Sequence, residues 1–157
     1  MKKLTKTELK DFLDTKVLQY NNPKFIESDP IQIPHKFIKK EDIEISGFLT
    51  ATIAWGNRKS IINNANKLMQ LLDNSPYDFV LNHSETDLQK LHPFVHRTFN
   101  GDDCIQFIKS LQHIYKKHGG LENVFFNNAE KTHYRTQFQN LSVFFLKLNI
   151  YRAHKSM

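Results

Sequence analysis

The chain has 157 residues, a net charge of +6 and hydrophobic side chains at 39% of its positions, a length and composition that fit one domain with a sizeable core. Only five Gly and five Pro are present, which excludes a turn-rich β-sandwich and a disordered chain. A single cysteine, Cys104, excludes an internal disulfide and a cysteine-based zinc cluster and points to a reducing compartment.

No apolar run follows Lys2 and Lys3, and no stretch approaches the ~18 residues of a bilayer span. The expected location is therefore the cytoplasm, with no membrane partner. The positive charge is a weak guide to partners. It comes from 18 Lys against 4 Arg, beside 14 Asn, a bias of the kind AT-rich genomes produce. Arg, with its bidentate fork, is the better marker of phosphate and base recognition.

The first predicted helix starts at Thr5, which forms a capping box with Glu8. Leu9, Phe12, Leu13, Val17 and Tyr20 recur along one face, and Asn21-Asn22-Pro23 ends it. Residues 23–40 read as an ordered loop, held extended by Pro23, Pro30 and Pro34 and lying across the helices. A second helix runs from Glu41 or Asp42 to Trp55. Ile45, Phe48, Leu49, Thr52 and Ile53 form its buried stripe, acidic residues occupy its first turn, and Gly56 stops it.

Gly56-Asn57-Arg58 leads into a third helix, Lys59 to Asp73, with Ile61, Ile62, Ala65, Leu68, Met69 and Leu72 inward. Ser75-Pro76 and Ser84 with Asp87 mark two short helical starts. Asn100-Gly101-Asp102 caps a long helix from Asp103 to His118, with Cys104, Phe107, Ile108, Leu111, Ile114 and Tyr115 inward, and Gly119-Gly120 ends it. A final helix is predicted over residues 130–150, with Phe138, Leu141, Phe145 and Leu148 on one face. The fold class is all-α: an orthogonal helical bundle of about six helices forming one domain over residues 1–157. The last residues stop without a cap, which reads as an incomplete domain.

Catalytic motifs are sparse. There is no phosphate-binding Gly-rich loop, no G-x-S-x-G and no H-E-x-x-H. Cys104 on an apolar helical face reads as a buried structural thiol. His92 and His96 lack an obvious third ligand, so no metal site and no cofactor are assigned. Asp102 and Asp103 are better explained by helix capping than by acid–base chemistry.

Two segments retain functional interest. Trp55-Gly56-Asn57-Arg58-Lys59-Ser60 is a sharp turn whose free backbone N–H groups, with Arg58 and Lys59, would suit a phosphate, and from which Asn57 or Arg58 would project. The alternative is a tight helical hairpin with Trp55 in the core. In His96-Arg97-Thr98-Phe99-Asn100-Gly101, Arg97 either orders the loop or faces a phosphate.

The run Asp42–Arg58, with Asp29-Pro30-Ile31, Ser75-Pro76-Tyr77-Asp78-Phe79 and Phe94-Val95-His96-Arg97-Thr98-Phe99 in the same order, resembles the signature of an uncharacterised bacterial family. The resemblance covers nearly the whole chain. Its members typically continue for about another hundred residues, which implies a chain cut at its C-terminal end. That further part includes a Pro-x-Asp-x-His stretch similar to the catalytic segment of helix-hairpin-helix DNA glycosylases. The helix–turn–helix around Trp55 to Lys59 is similar to the element that inserts a side chain into DNA in that superfamily.

This chain has neither a Gly-x-Gly hairpin nor the catalytic aspartate, so the resemblance implies no chemistry for it as it stands. It implies duplex DNA binding of the base-excision kind. Asn57 and Arg58 would take the wedge role, and Lys59 and Arg97 complete the expected DNA-binding set. The alternative is a non-enzymatic helical module that associates with itself or with a protein partner through exposed apolar surface.

Overall fold

The structure, a computed structural model, describes residues 4–129 and side chains through residue 125. Eight α-helices are present among them: α1 Lys6–Tyr20, α2 Pro23–Glu27, α3 Lys40–Thr52, α4 Arg58–Leu71, α5 Pro76–Asn82, α6 Glu85–Gln89, α7 Gly101–His118 and α8 Leu121–Ala129. One antiparallel pair interrupts them, β1 Val95–His96 with β2 Phe99–Asn100. The fold is all-α, and none of the described helices is long and apolar enough to cross a membrane.

Helix boundaries follow local chemistry. Thr5 caps α1 through the predicted box with Glu8. Ser84 and Asp87 form a second box at α6, and Asn100 and Asp103 form a third at α7, so three helix starts satisfy their first amides with their own side chains. At Ser75 the residue position is that of a cap, but no side-chain bond is made. Gly119 closes α7 in the left-handed conformation at φ 72°.

Two expectations are corrected. Residues 23–40 are not an extended loop. They contain α2 and two 3-10 turns, Pro30–Gln32 and Pro34–Lys36. Each proline stands at the first position of a helical turn, where its missing N–H costs nothing. Asn22 and Asp29 before them are extended, as proline sterics demand, whereas Ile33 before Pro34 is helical at φ −66° and ψ −56°. Burying the whole Ile33 side chain, worth ~1.5–3 kcal/mol, offsets that departure.

The apolar stripe of α1 does not face a core. Leu9, Phe12, Leu13, Val17 and Tyr20 are all exposed, and the helix has no buried residue. Helical spacing shows that a helix has an apolar face; it does not show that the described chain covers it. The final helix predicted over residues 130–150 lies outside the described residues, and α8 had no counterpart in the sequence reading.

The core is gathered around α3. Its Ile45 and Leu49, with Ile53 just past its end, share one buried cluster with Leu68 of α4 and Leu72 just past it, Phe79 and Val80 of α5, and Ile108, Leu111 and Ile114 of α7. Ile33 closes one side. Tyr115 Oη donates to Glu44 Oε2 at 2.7 Å, tying α7 to α3.

Cys104 is completely buried, and that burial, with a lesser contribution from the Asp103 carboxylate, pushes its thiol up to about 12. The native chain is therefore expected to resist iodoacetamide near neutral pH and to react promptly once denatured. The folded form holds the proton more tightly than the unfolded one, whose thiol titrates near 9.0. This contribution to stability is thus intact below about 9 and lost as pH rises toward about 12. Rapid labelling of native protein would refute the buried placement.

Candidate functional site

The two segments singled out in the sequence meet. Helix α3 ends at Thr52, three residues before Trp55, and Gly56 turns the chain at φ 109°. Asn57 then caps α4, its Oδ1 accepting the Ser60 N–H at 3.2 Å. Separated from them in sequence, β1 and β2 form a hairpin whose tip is Arg97-Thr98. His96 is its anchor. The ring is 3% exposed, and its Nε2 donates to the Trp55 carbonyl at 3.3 Å. Its Nδ1 lies 2.8 Å from Asn64 Nδ2. The Asn64 amide nitrogen can only donate, so in this contact Nδ1 is the acceptor and Nε2 carries the N–H that meets the Trp55 carbonyl.

Arg97 stands at φ 55°, a left-handed conformation that hairpin tips usually give to Gly or Asn. Its guanidinium lies over two neighbours from the other segment. Arg97 Cζ is 5.6 Å from the Trp55 ring centroid, a cation–π contact. A methyl on Gly56 would come within 2.5 Å of Arg97 Nε, so only glycine leaves this space open. Among the described residues Arg97 has no carboxylate partner.

Trp55 is 41% exposed and meets His96 edge-on at 5.9 Å. The reading that placed its indole in the core is thus corrected. The helix above it ends early, which leaves the ring at the surface as a platform.

Arg58 and Lys59 follow on the first turn of α4 and are exposed. Arg58 is half engaged: Nη2 lies 3.7 Å from Asp29 Oδ2, and Cζ lies 5.6 Å from the Phe25 ring centroid. No acidic residue occupies that first turn, so the helix dipole and the two cations act with the same sign.

The four residues nominated from sequence, Asn57, Arg58, Lys59 and Arg97, therefore share one corner, with Trp55 and Gly56 joining it to the hairpin. The surface offers cations, backbone amides and an indole face. It suits capture of an anion and stacking. Asn57 differs from the wedge expectation in one respect, because its carbonyl oxygen is already committed to capping.

Sequence reasoning missed the pairing of Arg97 with Trp55 and the anchoring role of His96. Among the described residues no group of three His, Cys, Asp or Glu stands close enough to hold a metal ion. His92 instead pairs with Asp102 at 3.0 Å.

A protein-family model described as "Protein of unknown function (DUF2400)" matches residues 29–157. The chain belongs to this family. The match spans most of the sequence and includes the whole corner, while α1 lies before its start. Comparison with curated proteins and with solved structures gave no match. The family description specifies no activity, so DUF2400 membership supports the expected domain of unknown function and leaves the function to be argued from the site.

Proposed function

We propose that this DUF2400 chain binds duplex DNA in the base-excision manner, through the corner built by Trp55, Asn57, Arg58, Lys59 and Arg97. One observation carries the reading: an arginine with no carboxylate partner among the described residues is held in a left-handed turn over the ring of a surface tryptophan. A bulky residue in that backbone region costs of order 1–3 kcal/mol, a strain that concentrates at binding sites. The planar guanidinium suits bidentate phosphate contact, and the indole beside it suits an unstacked base.

The α4 N-terminus adds amides and two cations for a second phosphate. In such a complex a base leaves the stack and a protein side chain fills its place. Arg58 or the Asn57 amide nitrogen takes the wedge role. The proposal concerns recognition; the chain contains no Pro-x-Asp-x-His stretch to which glycosidic cleavage could be attached.

Fluorescence anisotropy with intact and abasic-site duplexes at several salt concentrations tests it. Arg97→Ala is expected to weaken binding by about tenfold and to reduce the slope of log K against log salt by about 1. Arg58→Ala is expected to weaken the abasic complex more than the intact one. Asn57→Ser, which keeps the helix cap, serves as the control for Asn57→Ala. Absence of salt-dependent binding, or equal losses on both duplexes, would overturn the reading.

The exposed apolar face of α1 favours a second reading, association with itself or a protein partner. Complex formation insensitive to salt, and lost on Phe12→Glu, is its signature.

A further inference from the structure

Arg58 rises from the first turn of α4 and lies back against the segment that precedes α3. Its Nη2 is 3.7 Å from Asp29 Oδ2, and its Cζ is 5.6 Å from the Phe25 ring centroid. A carboxylate and an aromatic ring thus face one guanidinium. These two partners are better fixed than the arginine. Asp29 caps the Pro30–Gln32 turn, its Oδ1 accepting the Ile31 N–H at 3.1 Å. Ile33, at the end of that turn, is fully buried. Phe25 belongs to α2 and meets Tyr20 edge-on at 5.5 Å. The Asp29 side chain is 22% exposed and the Arg58 side chain 56%, so the arginine is the member of the group that can swing.

The two Asp29 oxygens divide two tasks. Oδ1 starts the turn, and Oδ2 restrains Arg58. At 3.7 Å the second contact is too long for a hydrogen bond and acts through charge alone. A side chain that fills a gap in a duplex lies within the base stack. A guanidinium enclosed there has no room beside it for a carboxylate and a phenyl ring of the protein. The pose seen on Asp29 and Phe25 and the inserted pose therefore exclude each other. Whatever stabilises the first in the free chain is subtracted from binding through the second.

We propose that Asp29 and Phe25 form an autoinhibitory hold on Arg58, which breaks when the corner engages a gapped duplex. This rests on the base-excision reading, with Arg58 as the wedge. The hold regulates affinity and does not bar access. A partly exposed ion pair and a surface cation–π contact each shift an equilibrium only a few-fold, so a partner that encloses the guanidinium outcompetes them.

Asp29→Asn separates the two tasks. Asn keeps an oxygen for the Ile31 N–H and caps as well as Asp, but it carries no charge to restrain Arg58. In anisotropy titrations with an abasic-site duplex, Asp29→Asn is expected to tighten binding about threefold, and adding Phe25→Leu to bring the gain to about fivefold to tenfold. In an Arg58→Ala background the same changes are expected to alter affinity by less than about 1.5-fold, because nothing remains to be held. The contact is also read without DNA. In free protein labelled with 15N-arginine, the Arg58 Nε–H is expected to exchange with water about threefold faster once Asp29 is Asn.

Abasic binding that is unchanged or weakened by Asp29→Asn overturns the hold while leaving the DNA reading in place. An equal gain in the Arg58→Ala background also overturns it, since the carboxylate would then simply repel phosphate. So does an Arg58 exchange rate indifferent to Asp29→Asn. An unaltered chain without salt-dependent DNA binding overturns the DNA reading and the hold with it, even where the exchange rate shows the Arg58 contacts to be real.

Discussion

Gly101→Ala is expected to destabilise the protein by about 3 kcal/mol or more, lowering its melting temperature by roughly 10 °C. Gly101 opens α7 and is buried. A methyl group built there lies 2.4 Å from the His92 carbonyl oxygen and 2.5 Å from the His92 Cα. These are backbone atoms, so no rotamer change relieves the overlap. Either the α7 start lifts away or the segment from His92 to the hairpin shifts, and both loosen the mount that holds Arg97. Circular dichroism melting checks it. A change in Tm of less than about 2 °C would mean that the first turn of α7 is not seated against His92.

Phe94→Ala is expected to cost about 3–5 kcal/mol, the usual penalty for emptying a large aromatic site in a core. Phe94 is fully buried just before the hairpin. It meets Phe99 edge-on at 6.2 Å, Phe99 meets Phe107 at 5.5 Å, and Phe107 meets Phe48 at 6.0 Å. This run of rings carries the packing of β1 and β2 through α7 to α3. Denaturant unfolding should show the midpoint falling with little change in slope. Because the hairpin rests on that run, the loss should also weaken whatever the Arg97 corner binds. Phe94→Leu, which refills most of the space, should recover much of both. A variant that loses stability while binding is unchanged would separate the hairpin from the core beneath it.

Much of the helical layout was legible because its signals are local. Thr5 with Glu8, Ser84 with Asp87, and Asn100 before an acidic pair are caps whose bonds span three residues, and the structure makes each of them. The inward residues of α4 and α7 were legible for a similar reason, since 3.6-residue periodicity survives wherever one face is buried.

What failed was whatever depended on residues distant in sequence. The α1 stripe has the right spacing but lacks a described partner. Pro23, Pro30 and Pro34 restrict the residue before each of them, and this was read as extension, although the same ring geometry starts a helical turn. The hairpin was missed because its tip is Arg97-Thr98, where neither residue is one of the Asn or Gly residues that usually mark such turns.

At the candidate site, composition located each half without indicating that they touch. Asn57, Arg58 and Lys59 were legible as a helix start and Arg97 as a loop cation. Their union depends on a hydrogen bond from His96 to the Trp55 carbonyl. No spacing rule reaches across that separation in sequence.

Trp55 is the sole tryptophan in the chain, which gives this molecule an optical peculiarity. Its indole sits at the surface, between an imidazole edge and a guanidinium, rather than among the aliphatic side chains around α3. Emission excited near 295 nm therefore reports on the corner and hardly on the interior. An unfolding curve followed by that emission records the release of the hairpin, whereas far-ultraviolet ellipticity records the melting of the helices. Where the two curves separate, the gap measures how independently the corner moves from the bundle that carries it.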